Sequence, residues 1–360
     1  MKKIISLFML LIIVLTFTAC SSVTTTENES KMKSIVDSLG REVQVPVQID
    51  SIGSLGVMRL LIYMQVNDLV VGATDMDNVV ELNRPYTYVH PENVNLPVIG
   101  QGGAGGIVPF EEEIIKVDPD IIFVSSDYSQ PDELSEKIGI PVVAVTNPGL
   151  FDGIMNNSIS IIGEVLSREE RAKEINEFMN NAQNDLNNRT KDIMDGQKQT
   201  VYNGGLNFRG KHGFDGTSAK YGPFVAINAK NVADQTGQSG AFNVDFEQIL
   251  EWNPDIIFVN PENLGLVNEQ YNKNPDFFNS LDAVKEGKVY SQMSYNNNYS
   301  NIDIALADAY YAGTIIYPEE FEDVNADKKA NEIFEFLLGK EIYEDFVSVG
   351  QGFGTLTIGD

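Results

Sequence analysis

One six-residue phrase occurs twice in the chain, as Pro119-Asp120-Ile121-Ile122-Phe123-Val124 and as Pro254-Asp255-Ile256-Ile257-Phe258-Val259. Each copy follows a segment of helical periodicity, from Phe110 in the first case and from Phe246 in the second. Proline cannot continue a helix. The Ile-Ile-Phe-Val run after it is short, β-branched and aromatic, which suits a strand buried on both faces of a parallel sheet. A helix–Pro-Asp–strand unit in each half therefore predicts two α/β lobes of related build. The 360 residues allow this, at roughly 150 per domain.

Further strands fit the same scheme. Ser51-Ile52-Gly53, Leu69 to Gly72, Pro97-Val98-Ile99 and Pro141 to Val145 belong to the first half. Val201-Tyr202-Asn203, Phe224 to Ile227 and Lys288-Val289-Tyr290 belong to the second. Between them, Phe151 to Ile193 contains no proline, and Ile161, Val165, Ile175, Phe178 and Met179 recur at helical spacing. One long helix over 151–195 would bridge the lobes, with Gly163 and Ser167 to Glu170 marking a kink or a new start. A second amphipathic helix, about Lys328 to Val347, closes the fold. The expected lobes are thus 35–150 and 196–360.

The N-terminus reads as an export signal over residues 1–19. Lys2 and Lys3 precede an apolar run from Ile4 to Phe17 that is shorter than the roughly 20 residues a bilayer requires. Cys20, the only cysteine, follows it in a context resembling a bacterial lipobox, although Phe17 stands where an aliphatic residue is usual. Residues 20–34 are Ser/Thr/Asn/Glu-rich and read as a flexible tether. The expected location is outside the cytoplasmic membrane, lipid-anchored at Cys20. A net charge of −27 argues against nucleic-acid binding. One cysteine and two histidines exclude a disulfide scaffold and leave little for a Cys/His metal site.

Catalytic signatures are missing. Gly100-Gln101-Gly102-Gly103-Ala104-Gly105 satisfies G-x-G-x-x-G, but Gly106 and Pro109 delay the helix that a dinucleotide site needs at those glycines. No nucleophile elbow, H-E-x-x-H or Walker motif occurs. No enzyme and no cofactor are expected. Three loops remain as binding candidates. Tyr202 to Gly213 follows a strand and gathers Arg209, Lys211 and His212 in an otherwise acidic chain. Cations on a strand's C-terminal loop suit an anionic ligand, and equally a solvated basic turn among acids. Tyr295 to Asn301 offers Tyr295 and Tyr299 for stacking beside amides, or simply a helix entry with Asn301 as N-cap. Arg84 to Pro91, with Tyr88, is an aromatic, proline-stiffened counterpart in the first half.

Taken together, these residues resemble the substrate-binding lipoproteins of ABC importers for ferric siderophores, haem and cobalamin. Asp37-Ser38-Leu39-Gly40-Arg41-Glu42-Val43 looks like that family's opening hairpin, and Glu247 to Asp255 like its second-lobe motif. Ile302 to Tyr311 and Tyr317-Pro318-Glu319-Glu320-Phe321 look like its iron-transport subgroup. The resemblance implies two α/β lobes with mostly parallel sheets, one long joining helix, and a ligand in the cleft between. It also implies a permease and ATPase as partners, a monomeric receptor, and one docking acid per lobe seven residues before the proline. Those acids are Glu112 and Glu247, with Glu111 and Glu113 adjoining the first. The implied cargo is a ferric chelate, neutralised by Arg209, Lys211 and His212, lined by Tyr202, Tyr295 and Tyr299, and faced by Arg84 and Tyr88. Cobalamin or haem on the same fold, or an adhesin or sensor without transport, are the alternatives.

Overall fold

A computed structural model describes residues 32–103 and 105–359. Cys20 and the expected export signal lie outside them. Among the described residues no helix is long and apolar enough to cross a membrane.

The chain begins with a hairpin of β1 (Met32–Val36) and β2 (Glu42–Pro46). Asp37 organises its turn by accepting the Leu39 and Arg41 amides, and it ties the hairpin to the first sheet by accepting the Ala144 amide at 3.0 Å. That sheet contains β3 (Ile52–Leu55), β4 (Val70–Thr74), β5 (Val98–Gln101), β6 (Val108–Pro109), β7 (Ile121–Ser125) and β8 (Val142–Val145). Their order is β6-β5-β4-β3-β7-β8, parallel except for the edge strand β6. The second lobe has β9 (Thr200–Gly204), an antiparallel pair of β10 (Gly216–Ala219) and β12 (Gly240–Asn243) with β11 (Lys230–Asn231) between them in sequence, then β13 (Ile256–Val259) and β14 (Val289–Ser291). Its main sheet runs β11-β9-β13-β14, all parallel. Two separate sheets thus carry the two lobes.

The repeated phrase does the same work in both lobes. Helix α1 (Met58–Tyr63) follows β3, and α2 (Glu111–Val117) precedes β7. Helix α2 stops at Asp118 in the left-handed region, φ 53°, and the helix before β13, Phe246–Trp252, stops at Asn253, φ 37°. The Asp of each Pro-Asp pair then clamps the first strand of its sheet. Asp120 accepts the Ser51 amide at 2.8 Å while the Ser51 hydroxyl accepts the Asp120 amide at 2.9 Å. Asp255 accepts the Thr200 amide at 2.7 Å while the Thr200 hydroxyl accepts the Asp255 amide at 3.0 Å. The strand that follows is fully buried in each case and sits inside its sheet.

The segment expected as one long helix is a helical hairpin. Helix α3 (Ile154–Leu166) ends at Ser167, φ 54°, and α4 (Glu169–Thr190) runs back against it. Gly163 is no kink: a Cβ there would lie 2.6 Å from the Ala172 Cβ, so glycine permits the close helix crossing. Helix α4 spans about 33 Å at 1.5 Å per residue. Near its start Arg171 donates to the Tyr63 carbonyl of the first lobe at 3.0 Å. Near its end Thr190 accepts from Asn228 of the second lobe at 3.0 Å.

Two further expectations give way. Phe224 to Ile227 is not a strand but lies mostly within helix α5 (Gly222–Ala226), with Pro223 in the first turn, where its missing N–H costs nothing. The helix Phe246–Trp252 is α6. The closing segment splits at Gly339, φ 76°, into α8 (Ala326–Leu338) and a short helix Tyr343–Ser348. Helix α7 (Ile302–Ile316) precedes them and is buried almost throughout. One apolar cluster joins Ile52, Leu61 and Phe123 of the first lobe with Ile159, Phe258, Ile304 and Phe334. Smaller clusters back each lobe separately.

Candidate ligand-binding cleft

Parallel sheets gather loops at the carboxyl ends of their strands. Three adjoining strands of the second sheet supply Asn207–Lys211 after β9, Asn260–Asn263 after β13 and Asn296–Ser300 after β14. The first and third loops have one design. Each is closed by a single antiparallel bridge, Asn207 to Lys211 and Asn296 to Ser300. In each the second residue's amide donates to the fourth residue's carbonyl, Phe208 to Gly210 at 2.9 Å and Asn297 to Tyr299 at 3.2 Å. The conformation is strained at Arg209 (φ 51°), Asn298 (φ 52°) and Tyr299 (φ 68°).

The third loop crosses into the first lobe. Arg59, only 4% exposed, donates to the Asn301 side chain at 3.0 Å and to the Asn298 carbonyl at 2.6 Å. Its guanidinium lies 4.6 Å from the Tyr86 ring centre. Asn297 accepts from Arg84 Nε at 3.0 Å and donates to the Asn83 side-chain oxygen at 2.9 Å. Asn298 donates to Tyr86 Oη at 3.0 Å. Glu262 completes the strap by accepting from Asn83 of the first lobe and from Asn207 of the second.

Beside this strap lies a cavity of about 650 Å³, walled by Met76 and Asn83 on one side and by Asn207, Arg209, Lys211 and Asn297 on the other. Its two acids are already engaged, Glu81 by Arg84 at 3.0 Å and Glu262 by the two asparagines. Arg209 and Lys211 are exposed and form no ion pair among the described residues. Two uncompensated cations therefore face a space that an anion can fill.

The expected site residues divide. Arg209 and Lys211 line the cavity, and His212 stacks behind it on Phe208, with ring centres 3.7 Å apart. Tyr299 lines a second cavity across the strap. Tyr202 does not line the cleft: it is fully buried, and its hydroxyl donates to the Phe214 carbonyl at 2.7 Å. Tyr295 packs against Tyr221, and burial pushes its phenol up to about 12. Arg84 is committed to Glu81, Asn297 and the Met76 carbonyl, so it positions the strap and does not line the cavity. Tyr88 points elsewhere, towards Asp345 near the C-terminus. Asn301 stands at the N-cap of α7, yet its side chain serves Arg59 instead of the helix amides. Among the described residues no group of three or more His, Cys, Asp or Glu could hold a metal ion.

The model of a family described as "Periplasmic binding protein" matches residues 70–295, more than half of the chain. The chain belongs to that family. Among curated members it is similar to the molybdate-binding protein MolA of Haemophilus influenzae, 26% identical over 329 residues, covering 84% of this chain and 89% of that one. The solved structure of MolA bound to molybdate superposes with a TM-score of 0.64 at 22% identity, covering 86% and 98% of the two chains. A periplasmic solute-binding protein from Veillonella parvula gives a TM-score of 0.71 at 18% identity, covering 88% and 96%. These likenesses agree with the α/β fold, and the family is one of extracytoplasmic binding proteins, not of enzymes.

Sequence inspection missed Arg59, Asn83 and Glu262; the amides of the 295–301 loop were read as neighbours of a ligand, whereas Asn297 and Asn298 bond to the first lobe. Arg59 had left a signal, as the one charge within Val57-Met58-Arg59-Leu60-Leu61-Ile62. A neighbour of Arg59 has a measurable consequence. Burial pushes the Asp303 carboxyl up to about 6, against the Ile304 amide and the Arg59 charge, which pull it down. An acid whose folded-state pKa is raised takes up protons on folding, so its contribution to stability falls as pH rises from about 4 through about 6. Asp303→Asn should remove that loss. Relative to the parent, the variant should gain about 2 kcal/mol between pH 4 and pH 7 in denaturant titrations. Parallel pH profiles for the two proteins would refute the assignment.

Proposed function

We propose that this protein is the extracytoplasmic receptor of an ABC importer, capturing an anionic iron(III) chelate between its lobes and delivering it to a permease. The observation that carries the cargo class is the pair Arg209 and Lys211, without an ion pair among the described residues, on a cleft loop of a chain with net charge −27. Size agrees. Small-molecule sites commonly occupy about 300–1,000 Å³, whereas a tetrahedral oxyanion displaces only a few waters at about 30 Å³ each. Molybdate is the second reading, favoured by the similarity of nearly the whole chain to MolA. Titrating the protein with ferric siderophores, haem, cobalamin and molybdate, followed by Trp252 and tyrosine fluorescence, separates these. Saturable binding of a ferric chelate in the micromolar range or tighter is expected, and silence towards every chelate would refute the reading.

Docking through Glu112 and Glu247 is part of the same proposal. Both are exposed on the first turn of equivalent helices, α2 and α6. Lys137 engages Glu111 at 3.2 Å and Lys116 engages Glu113 at 3.1 Å, while Glu112 and Glu247 have no ion pair among the described residues. Paired acids on two lobes give an oriented, salt-sensitive dock. Glu112→Ala with Glu247→Ala should reduce cellular uptake about tenfold or more with solute affinity intact. Unchanged uptake would move the protein towards an adhesin or sensor role. Cys20 would supply the membrane anchor, detectable as a diacylglyceryl mass on the mature N-terminus.

A further inference from the structure

The cleft is not one chamber but two, and their charges differ. The second cavity, about 410 Å³, is lined by Met76, Gly103, Gly106, Asp127, Asn298 and Tyr299. Met76 and Asn298 also line the cationic chamber, so these two side chains form a common wall. Asp127 is the one charged residue among the described lining of the second space. It is exposed and forms no salt bridge among the described residues; its carboxylate accepts weakly from the Ser125 hydroxyl, at 3.4 Å, and also meets the Tyr299 hydroxyl, both neutral partners that leave its charge uncompensated. Ser125 in turn accepts from Tyr299 Oη at 3.3 Å.

The wall is held in place against strain. Asn298 and Tyr299 are consecutive non-glycine residues in the left-handed region, a conformation that persists only where its surroundings enforce it. Arg59 grips the Asn298 carbonyl, Tyr86 receives the Asn298 amide, and Ser125 anchors the next side chain. Gly103 (φ 89°) and Gly106 (φ 85°) face Tyr299 across the second chamber, bringing bare backbone to its edge.

We infer that the solute is amphoteric: an anionic chelate head held by Arg209 and Lys211, and a protonated amine arm reaching past Met76 and Asn298 to Asp127. This rests on the chelate reading above and narrows it to chelates carrying a cationic arm. The probes are a ferric tris-catecholate bearing one pendant primary amine and the same chelate with that amine acetylated. The native protein should bind the amine form at least tenfold more tightly. Asp127→Asn should bring the two affinities together, whereas Arg209→Ala should weaken both and keep their ratio. Equal affinities in the native protein, or a preference that survives Asp127→Asn, would overturn the amphoteric assignment while leaving the chelate reading standing. Binding of neither probe, or of molybdate alone, would overturn both.

Discussion

Reversing both free cations, Arg209→Glu with Lys211→Glu, should cost at least a hundredfold in affinity for an anionic chelate. The side chains form no ion pairs among the described residues, so nothing in the protein compensates the reversal. Glu81 and Glu262 already stand in the same wall. Four carboxylates would then surround the solute, and every tenfold loss corresponds to about 1.4 kcal/mol. Stability should hardly move, since exposed substitutions usually change it by about 0.5 kcal/mol or less. Calorimetric titration at low and high salt checks both parts. The parent's affinity should fall with ionic strength, because salt screens the attraction between partly exposed charges, and the variant's residual affinity should rise with it, because salt then screens a repulsion. Undiminished binding with an unchanged salt response would place the solute elsewhere.

Replacing Arg59 with alanine should unfasten the strap and destabilise the fold by about 3 kcal/mol. The guanidinium is the hub of the interlobe bonds: removing it takes the charged donor from the Asn298 carbonyl and the Asn301 side-chain oxygen, and leaves the Asn297 carbonyl only the Asn301 amide at 3.5 Å. It also leaves the buried Asp303 carboxyl without its nearby positive charge. Abandoning one member of such a buried polar set costs far more than the bonds gave in net terms. Lysine should not rescue, because one ammonium cannot reproduce a planar fork that serves several oxygens at once. Denaturant midpoints would report the stability, and amide exchange at 297–301 would report the released loop. Retained protection of those amides in Arg59→Ala would show that the strap is held some other way.

The local parts of the fold were legible because they are written in local chemistry. Proline, β-branching and burial on both faces located β7 and β13, and Ser51 and Thr200 even repeat the hydroxyl that completes each clamp. Phe224 to Ile227 misled because a four-residue apolar run is compatible with either period, and Pro223 was the cue that settles it. In the cleft, Arg209 and Lys211 stood out as cations against an acidic background. Tyr202 and Tyr295 were drawn into the site by their residue type, although large aromatics are the natural filling of a core. The strap was invisible for a different reason. The loop 297–301 and its first-lobe partners Arg59, Asn83, Arg84 and Tyr86 lie more than 200 residues apart, and asparagine carries no pattern that announces which distant carbonyl it will meet.

The single apolar cluster running through both lobes has a mechanical corollary. Two halves welded through a shared interior cannot gape like a hinged shell without tearing close-packed side chains apart. Vacant and laden copies should therefore have nearly the same silhouette. A transporter could then tell them apart only by touching the cargo at the mouth, and unloading would need leverage applied from outside.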